Sequence, residues 1–148
     1  CRASEITSIK VADIDWYANS AKVIGKGNKQ RVVFFNARAM YYLNLYIDYR
    51  NYEENESELL FTSLNRPYTK LTNAGLQLII KNLWKRSGVT KVVTPHVIRH
   101  TTATIAIENG IELGDLQQLL GHSDPSTTLI YVKVSEERKR IAHKRFVT

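Results

Sequence analysis

Between Thr94 and Tyr131 the chain gathers side chains that could act on a phosphate ester. His96, Arg99 and His100 stand at i, i+3 and i+4, which puts them on one face if the segment is helical. Thr94 suits an N-cap and Pro95 the first helical position, so a helix is predicted over 96–109 with Gly110 ending it. The three side chains then fall in the first turns, where a helix favours an anion. A second short helix is predicted over 112–120, closed by Gly121 and followed at once by His122. Asp124-Pro125 restarts a helix, capped by Asp124 or Ser123, that carries Tyr131 roughly 9 Å along.

The chemistry these residue types suit is in-line attack on a phosphodiester. Its transition state has dispersed negative charge, so positioning and charge stabilisation supply most of the catalysis. A guanidinium donates two hydrogen bonds in one plane and keeps its proton at any working pH. A phenol is a poor nucleophile at neutral pH, ionised in only about one molecule in a thousand, and needs nearby cations and a base.

Upstream elements must position this segment. Residues 4–10 read as a short helix, and 11–16, 21–24 and 31–35 as three antiparallel strands. Gly25 to Lys29 is the connection between the second and third, with Gly and Asn where positive φ is needed. Asn36 caps a helix to about Tyr52, with Met40, Leu43 and Ile47 at core spacing and five tyrosines that pack or hydrogen-bond. Glu53 to Glu58 reads as a solvated loop, 59–62 as extended chain, and Asn65-Arg66-Pro67 as a turn. Thr72 caps a helix to about Ser87 with Leu76, Ile80, Leu83 and Trp84 inward, ended by Gly88. A basic helix, 137–146, closes the chain, with Ile141 and Phe146 as apolar anchors. The fold class expected is α+β, mainly helical with a small three-stranded antiparallel sheet near the N-terminus.

Composition narrows the partners. The 148 residues suggest one domain, and 43% hydrophobic content is enough for a core. Lys and Arg number 21 against 14 Asp and Glu, a net charge of +7 that favours a polyanion. With no long apolar run or lipidation motif, nucleic acid ranks before membrane. One cysteine excludes an internal disulfide framework and fits a reducing compartment. The histidines lack acidic or cysteine companions at ligand spacing, and no glycine-rich loop precedes a helix. A metallonuclease and a nucleotide hydrolase are therefore disfavoured, and neither metal nor cofactor is expected.

His96-x-x-Arg99-His100, then Leu120-Gly121-His122, then Tyr131 nine residues on, resembles the tyrosine recombinases, or phage integrase family. Arg2-Ala-Ser-Glu5 resembles that family's first arginine motif, and Gly25-Lys26-Gly27-Asn28-Lys29 its strand-turn lysine. The resemblance spans essentially the whole chain. It implies Arg2 and Arg99 as clamps on the two non-bridging oxygens and Tyr131 as nucleophile. His96 would act as base, and His122 as a donor to a phosphate oxygen. Lys26 would be the acid that protonates the leaving 5′ oxygen; without the resemblance it reads equally as an electropositive turn. Glu5 would orient an arginine or a histidine, or else be an exposed carboxylate. Lys29 and Arg31 are expected to contact the DNA backbone, and His100 to pack beneath the site.

The resemblance further implies a site-specific DNA recombinase or integrase catalytic domain over 1–148, working without metal or ATP through a 3′-phosphotyrosyl link. Double-stranded DNA would be its partner, a homo-oligomer on DNA (a tetramer in the full-length protein) its assembly, and the cytoplasm, at the nucleoid, its location. Cys1-Arg2 is not a natural start, so the chain reads as a fragment lacking the family's N-terminal DNA-clamping domain. The tail after Tyr131 would dock on a neighbouring protomer or lie loosely. Two alternatives stay open: a type IB topoisomerase, and a non-catalytic DNA-binding regulator of the same fold.

Overall fold

Alternating apolar and polar residues near the N-terminus build a three-stranded antiparallel meander. β1 (Ile14–Asp15) pairs with β2 (Ser20–Ile24), and β2 with β3 (Gln30–Phe34). The computed structural model describes residues 1–121 together with Glu136, Arg140, Ile141 and 143–145, and falls into two units, Cys1–Pro95 and His96–Thr148. The α+β class expected from sequence, mainly helical with one small sheet, is what the chain adopts.

Each strand is bounded differently from the sequence reading, β1 most of all. Residues Val11–Asp13 form a 3-10 turn, so β1 keeps only two residues. Asp13 accepts the backbone N–H of Lys10 at 2.9 Å, a side-chain bond that competes with the sheet ladder and tightens the chain into a turn. The opening helix is likewise short: α1 is Ala3–Ile6, and Ser8 Oγ then donates to the Ser4 carbonyl at 2.8 Å, satisfying a helix-end acceptor.

The sheet's inner face meets α2 (Ala37–Tyr52). Ile9, Ile14, Ala21, Val23, Met40, Leu43 and Leu60 form the buried core, flanked by Val33, Phe35, Tyr46, Ile47 and Phe61. The cap is as the sequence predicts, with Asn36 Oδ1 accepting from the Ala39 N–H at 2.8 Å. Of the five tyrosines only Tyr46 reaches this core, its ring 5.5 Å from that of Phe61. Arg50, near the end of α2, is buried at 4% exposure and donates to the carbonyls of Asn55, Ser57, Leu59 and Leu60. The backbone of the acidic stretch thus winds around a guanidinium, while Glu54, Glu56 and Glu58 stay exposed, as the solvated-loop reading expects.

α3 (Asn73–Ser87) starts at Thr72, whose hydroxyl accepts the Gly75 N–H at 3.0 Å, and stops at Gly88 with φ of 72°. Leu76, Ile80 and Trp84 are half-buried, but Leu83 is 60% exposed, against the sequence reading. The half-buried stripe runs i, i+4, i+8, which leaves Leu83 at its edge. Thr7 Oγ1 lies 3.2 Å from Asn73 Oδ1, tying the end of α1 to the start of α3.

In the second unit α4 (Pro95–Glu108) and α5 (Leu113–Leu120) pack through Ala103, Ile107, Leu116 and Leu120, all buried. Both pairs are spaced i, i+4 and so present one stripe each. Glu112 is the N-cap of α5 rather than its first residue. Gly121 ends α5 in the left-handed region at φ 65°, as the sequence predicts. Among the described residues no helix is long and apolar enough to cross a membrane. The helix expected from 124 lies outside the described residues, as does half of the predicted tail helix; Arg140, Ile141 and 143–145 are helical.

Candidate active site

In the first unit the chemistry gathers around one buried carboxylate. Glu5, 1% exposed, accepts the backbone N–H of Arg2 at 2.6 Å and the Arg2 Nη1 at 3.1 Å. Arg31 approaches from β3 and donates Nη1 to Oε1 at 2.6 Å and Nη2 to Oε2 at 2.7 Å, a two-pronged pair. Burial pushes the Glu5 carboxyl up; the Arg31 bonds, the Arg2 N–H and the Arg31 charge outweigh it and hold the group at about 2. Glu5 is therefore a fixed anion at neutral pH. The Arg2 guanidinium, held by it at the N-terminus of α1, is about one-third exposed. A cleft of about 410 Å³ opens here, lined by Arg2, Glu5, Lys22 and Gly25 among others.

The β2–β3 connection closes over the same carboxylate. Gly25 N–H donates to the Lys29 carbonyl at 2.8 Å, and Lys26–Asn28 make one 3-10 turn. Gly27 at φ 74° and Asn28 at φ 58° take the left-handed conformations that the sequence signals there. This backbone carries Lys26 at the tip, and Lys29 follows, exposed. A Cβ at Gly25 would lie 3.3 Å from Glu5 Oε1 and 3.6 Å from Arg31 Nη1, so the turn's base rests directly on the ion pair.

In the second unit His96 is exposed in the first turn of α4, while Arg99 and His100 are half-buried. Arg99 Nη2 donates to the Leu120 carbonyl at 2.7 Å. That carbonyl is at the C-terminus of α5, where backbone acceptors lack helical partners and a cation is favoured. The bond fixes the point from which the chain leaves towards His122. His122 and Tyr131 lie outside the described residues. The structure thus brings Arg2, Glu5 and Arg31 together beneath the turn that carries Lys26.

Residues 1–138 match the phage integrase family. The chain belongs to that family. Among its relatives, the tyrosine recombinase XerC of Leptospira interrogans is 38% identical over 97% of this chain and 46% of its own. The tyrosine recombinase XerD of Listeria monocytogenes is 36% identical over 98% and 50%. The chain spans about half the length of the curated relatives it matches. The crystal structure of XerA recombinase superposes with a TM-score of 0.83 at 32% identity, over 97% of this chain and 52% of that one. XerH site-specific recombinase bound to palindromic difH substrate, a post-cleavage complex, shares the fold at a TM-score of 0.78, with 24% identity over 99% and 42%. Arg2, Lys26, His96, Arg99, His122 and Tyr131 all fall within the span that matches this integrase family.

Two residues escaped sequence reasoning in different ways. Arg50 gave no signal, since a lone arginine in a helix rich in polar residues reads as surface. Arg31 did give one: it alternates with Val33 on the core side of β3, and Phe35 just past the strand keeps the same period.

Proposed function

We propose that the chain is the catalytic domain of a site-specific DNA recombinase that cuts and rejoins strands through a 3′-phosphotyrosyl intermediate. The observation that carries this reading is the family match across 1–138, which contains the whole set of cationic residues and the tyrosine in order. Arg2 and Arg99 hold the non-bridging oxygens of the scissile phosphate, and His122 donates a further hydrogen bond. The Tyr131 oxygen attacks phosphorus and its proton passes to His96. The bond to the 5′ oxygen breaks, and Lys26 supplies the proton that this oxygen needs. A 5′ hydroxyl from another strand then reverses the step. One phosphoester replaces another each time, so neither ATP nor metal is required. Net charge of +7 suits a DNA partner, with Lys29 against the backbone. Strand exchange needs a second copy on the partner site, and a tetramer in the cytoplasm is the assembly proposed.

The geometry supports the first-unit part of this mechanism through Glu5. A buried anion fixed on the Arg2 guanidinium preorganises a donor, and one such donor can contribute about 3–4 kcal/mol to a transition state. The test is a nicked suicide duplex, 5′-labelled on the strand whose new 3′ end stays with the protein, run with full-length protein on a denaturing gel. A covalent band is expected in wild type, with and without EDTA, and none in Tyr131→Phe. A band that persists in Tyr131→Phe, or disappears with EDTA, refutes the mechanism. Two-site exchange against supercoil relaxation separates a recombinase from a topoisomerase.

A further inference from the structure

Arg31 has the residue type and position of a DNA-backbone contact, yet its side chain is only 13% exposed and both terminal nitrogens face Glu5. The same carboxylate holds the Arg2 backbone and side chain. Arg31 also stands opposite Val23 in the β2–β3 register, two pairs from the Gly25 N–H bond that closes the turn. A Cβ at Gly25 would crowd Glu5 Oε1 at 3.3 Å, tight by a few tenths of an ångström, and would stand in ordinary contact with Arg31 Nη1 at 3.6 Å. One ion pair therefore touches α1, β3 and the base of the Lys26 turn.

We infer that Arg31 is a positioning residue that acts through Glu5 to couple the Lys26 turn to Arg2, so that the acid and the first clamp reach the phosphate in fixed relation. The inference deepens the recombinase reading and rests on it. Two consequences separate it from a phosphate contact and from plain scaffolding. A positioning residue leaves the salt dependence of DNA binding alone, whereas removing a phosphate contact lowers the log–log slope by about one. A displaced acid matters for an oxygen leaving group and little for sulfur, whereas a general loss of folded enzyme lowers both rates alike.

The experiment compares wild type, Arg31→Gln, Arg31→Lys, Glu5→Gln and the Glu5→Gln/Arg31→Gln double variant in the full-length protein. Covalent-complex formation is timed on suicide duplexes with a 5′ oxygen or a 5′ sulfur at the scissile bond. Arg31→Gln is expected to slow the oxygen duplex roughly 100-fold, the scale of an ångström's misplacement, and the sulfur duplex at least ten times less. Arg31→Lys, which keeps the charge and one bond, restores part of the rate. The double variant is no slower than the worse single, because both act through one contact. DNA affinity and its salt slope stay as in wild type. Equal losses on both duplexes, a slope reduced by one, or multiplying losses in the double variant overturn the inference. If wild type forms no covalent complex, the recombinase reading fails and hydrogen exchange decides the coupling alone. Faster exchange at both the Arg2 and Gly25 amides in Arg31→Gln supports it, and unchanged exchange overturns it.

Discussion

Glu5→Gln should remove a defined part of the protein's pH-dependent stability. The carboxyl is held at about 2 against an ordinary 4.5. Each pH unit of that difference corresponds to about 1.36 kcal/mol, so the ionised group adds about 3 kcal/mol to folding at neutral pH. Because the folded value is the lower one, the contribution is complete above about pH 5 and is lost as pH falls through the folded value. By pH 3 about 2 kcal/mol of it should be gone. Glu5→Gln keeps the shape but leaves Arg31 facing a neutral amide, so the cost at pH 7 is of the same order or somewhat larger, about 3–5 kcal/mol. Urea unfolding of both proteins from pH 7 to 2.5 gives the answer as a difference, in which the other carboxylates cancel. The gap should narrow steadily below pH 5. A gap that is constant between pH 5 and 3 would refute the claim that Glu5 is a buried, paired anion.

Arg50 and the net charge of +7 each carry a further test. Arg50→Ala strips four carbonyls of their donor, and with charge-assisted bonds at about 1.5–3 kcal/mol each and partial rescue by water it should cost about 3 kcal/mol or more in urea unfolding; a change within 0.5 kcal/mol, on the scale of ordinary surface substitutions, would show that the loop closes without it. DNA affinity of the 148-residue chain should be weak and fall nearly linearly in log K against log salt, measured by titrating a labelled duplex, and tight salt-insensitive binding would contradict the electrostatic origin.

The parts of the fold that sequence revealed are those set by local rules. Asn36, Thr72, Gly88 and Gly121 each occupy the cap position their chemistry suits. The Gly25 to Lys29 turn needed left-handed residues and had Gly27 and Asn28 to supply them. What stayed illegible depends on partners far along the chain. Glu5 is an exposed carboxylate or a buried anchor according to whether a guanidinium arrives from 26 residues away. Residues 11–13 alternate like a strand, but the Asp13 bond to the Lys10 N–H ends the ladder early. The Arg31 fork was read by charge, as a DNA contact, although its alternation with Val33 and Phe35 pointed inward. Charge is a weak guide wherever the strand period puts an arginine on the core side.

Arg99 allows charge and fork to be separated at the site itself. Its Nη2 holds the Leu120 carbonyl at 2.7 Å, so part of the guanidinium is committed to the protein before any DNA arrives. The rest is then held in one orientation by that anchor and by its place in the first turns of α4. A lysine at this position would keep the positive charge and offer three mobile donors, but it could not bridge a carbonyl and two phosphate directions in one plane. Arg99→Lys should therefore keep DNA affinity and its salt slope, since both count charge. Cleavage of the suicide duplex should fall about 10²–10³-fold, the effect of losing one preorganised donor at an oxyanion. Arg99→Ala should add a structural loss: with the Leu120 acceptor unsatisfied, the α5 C-terminus frays, and the Gly121 amide, bonded to the Gln118 carbonyl at 3.0 Å, exchanges faster. Single-turnover cleavage and amide exchange on the same two variants read these effects apart. If Arg99→Lys cleaves within tenfold of wild type, the planar fork is not what the site requires, and the clamp assignment for Arg99 is wrong.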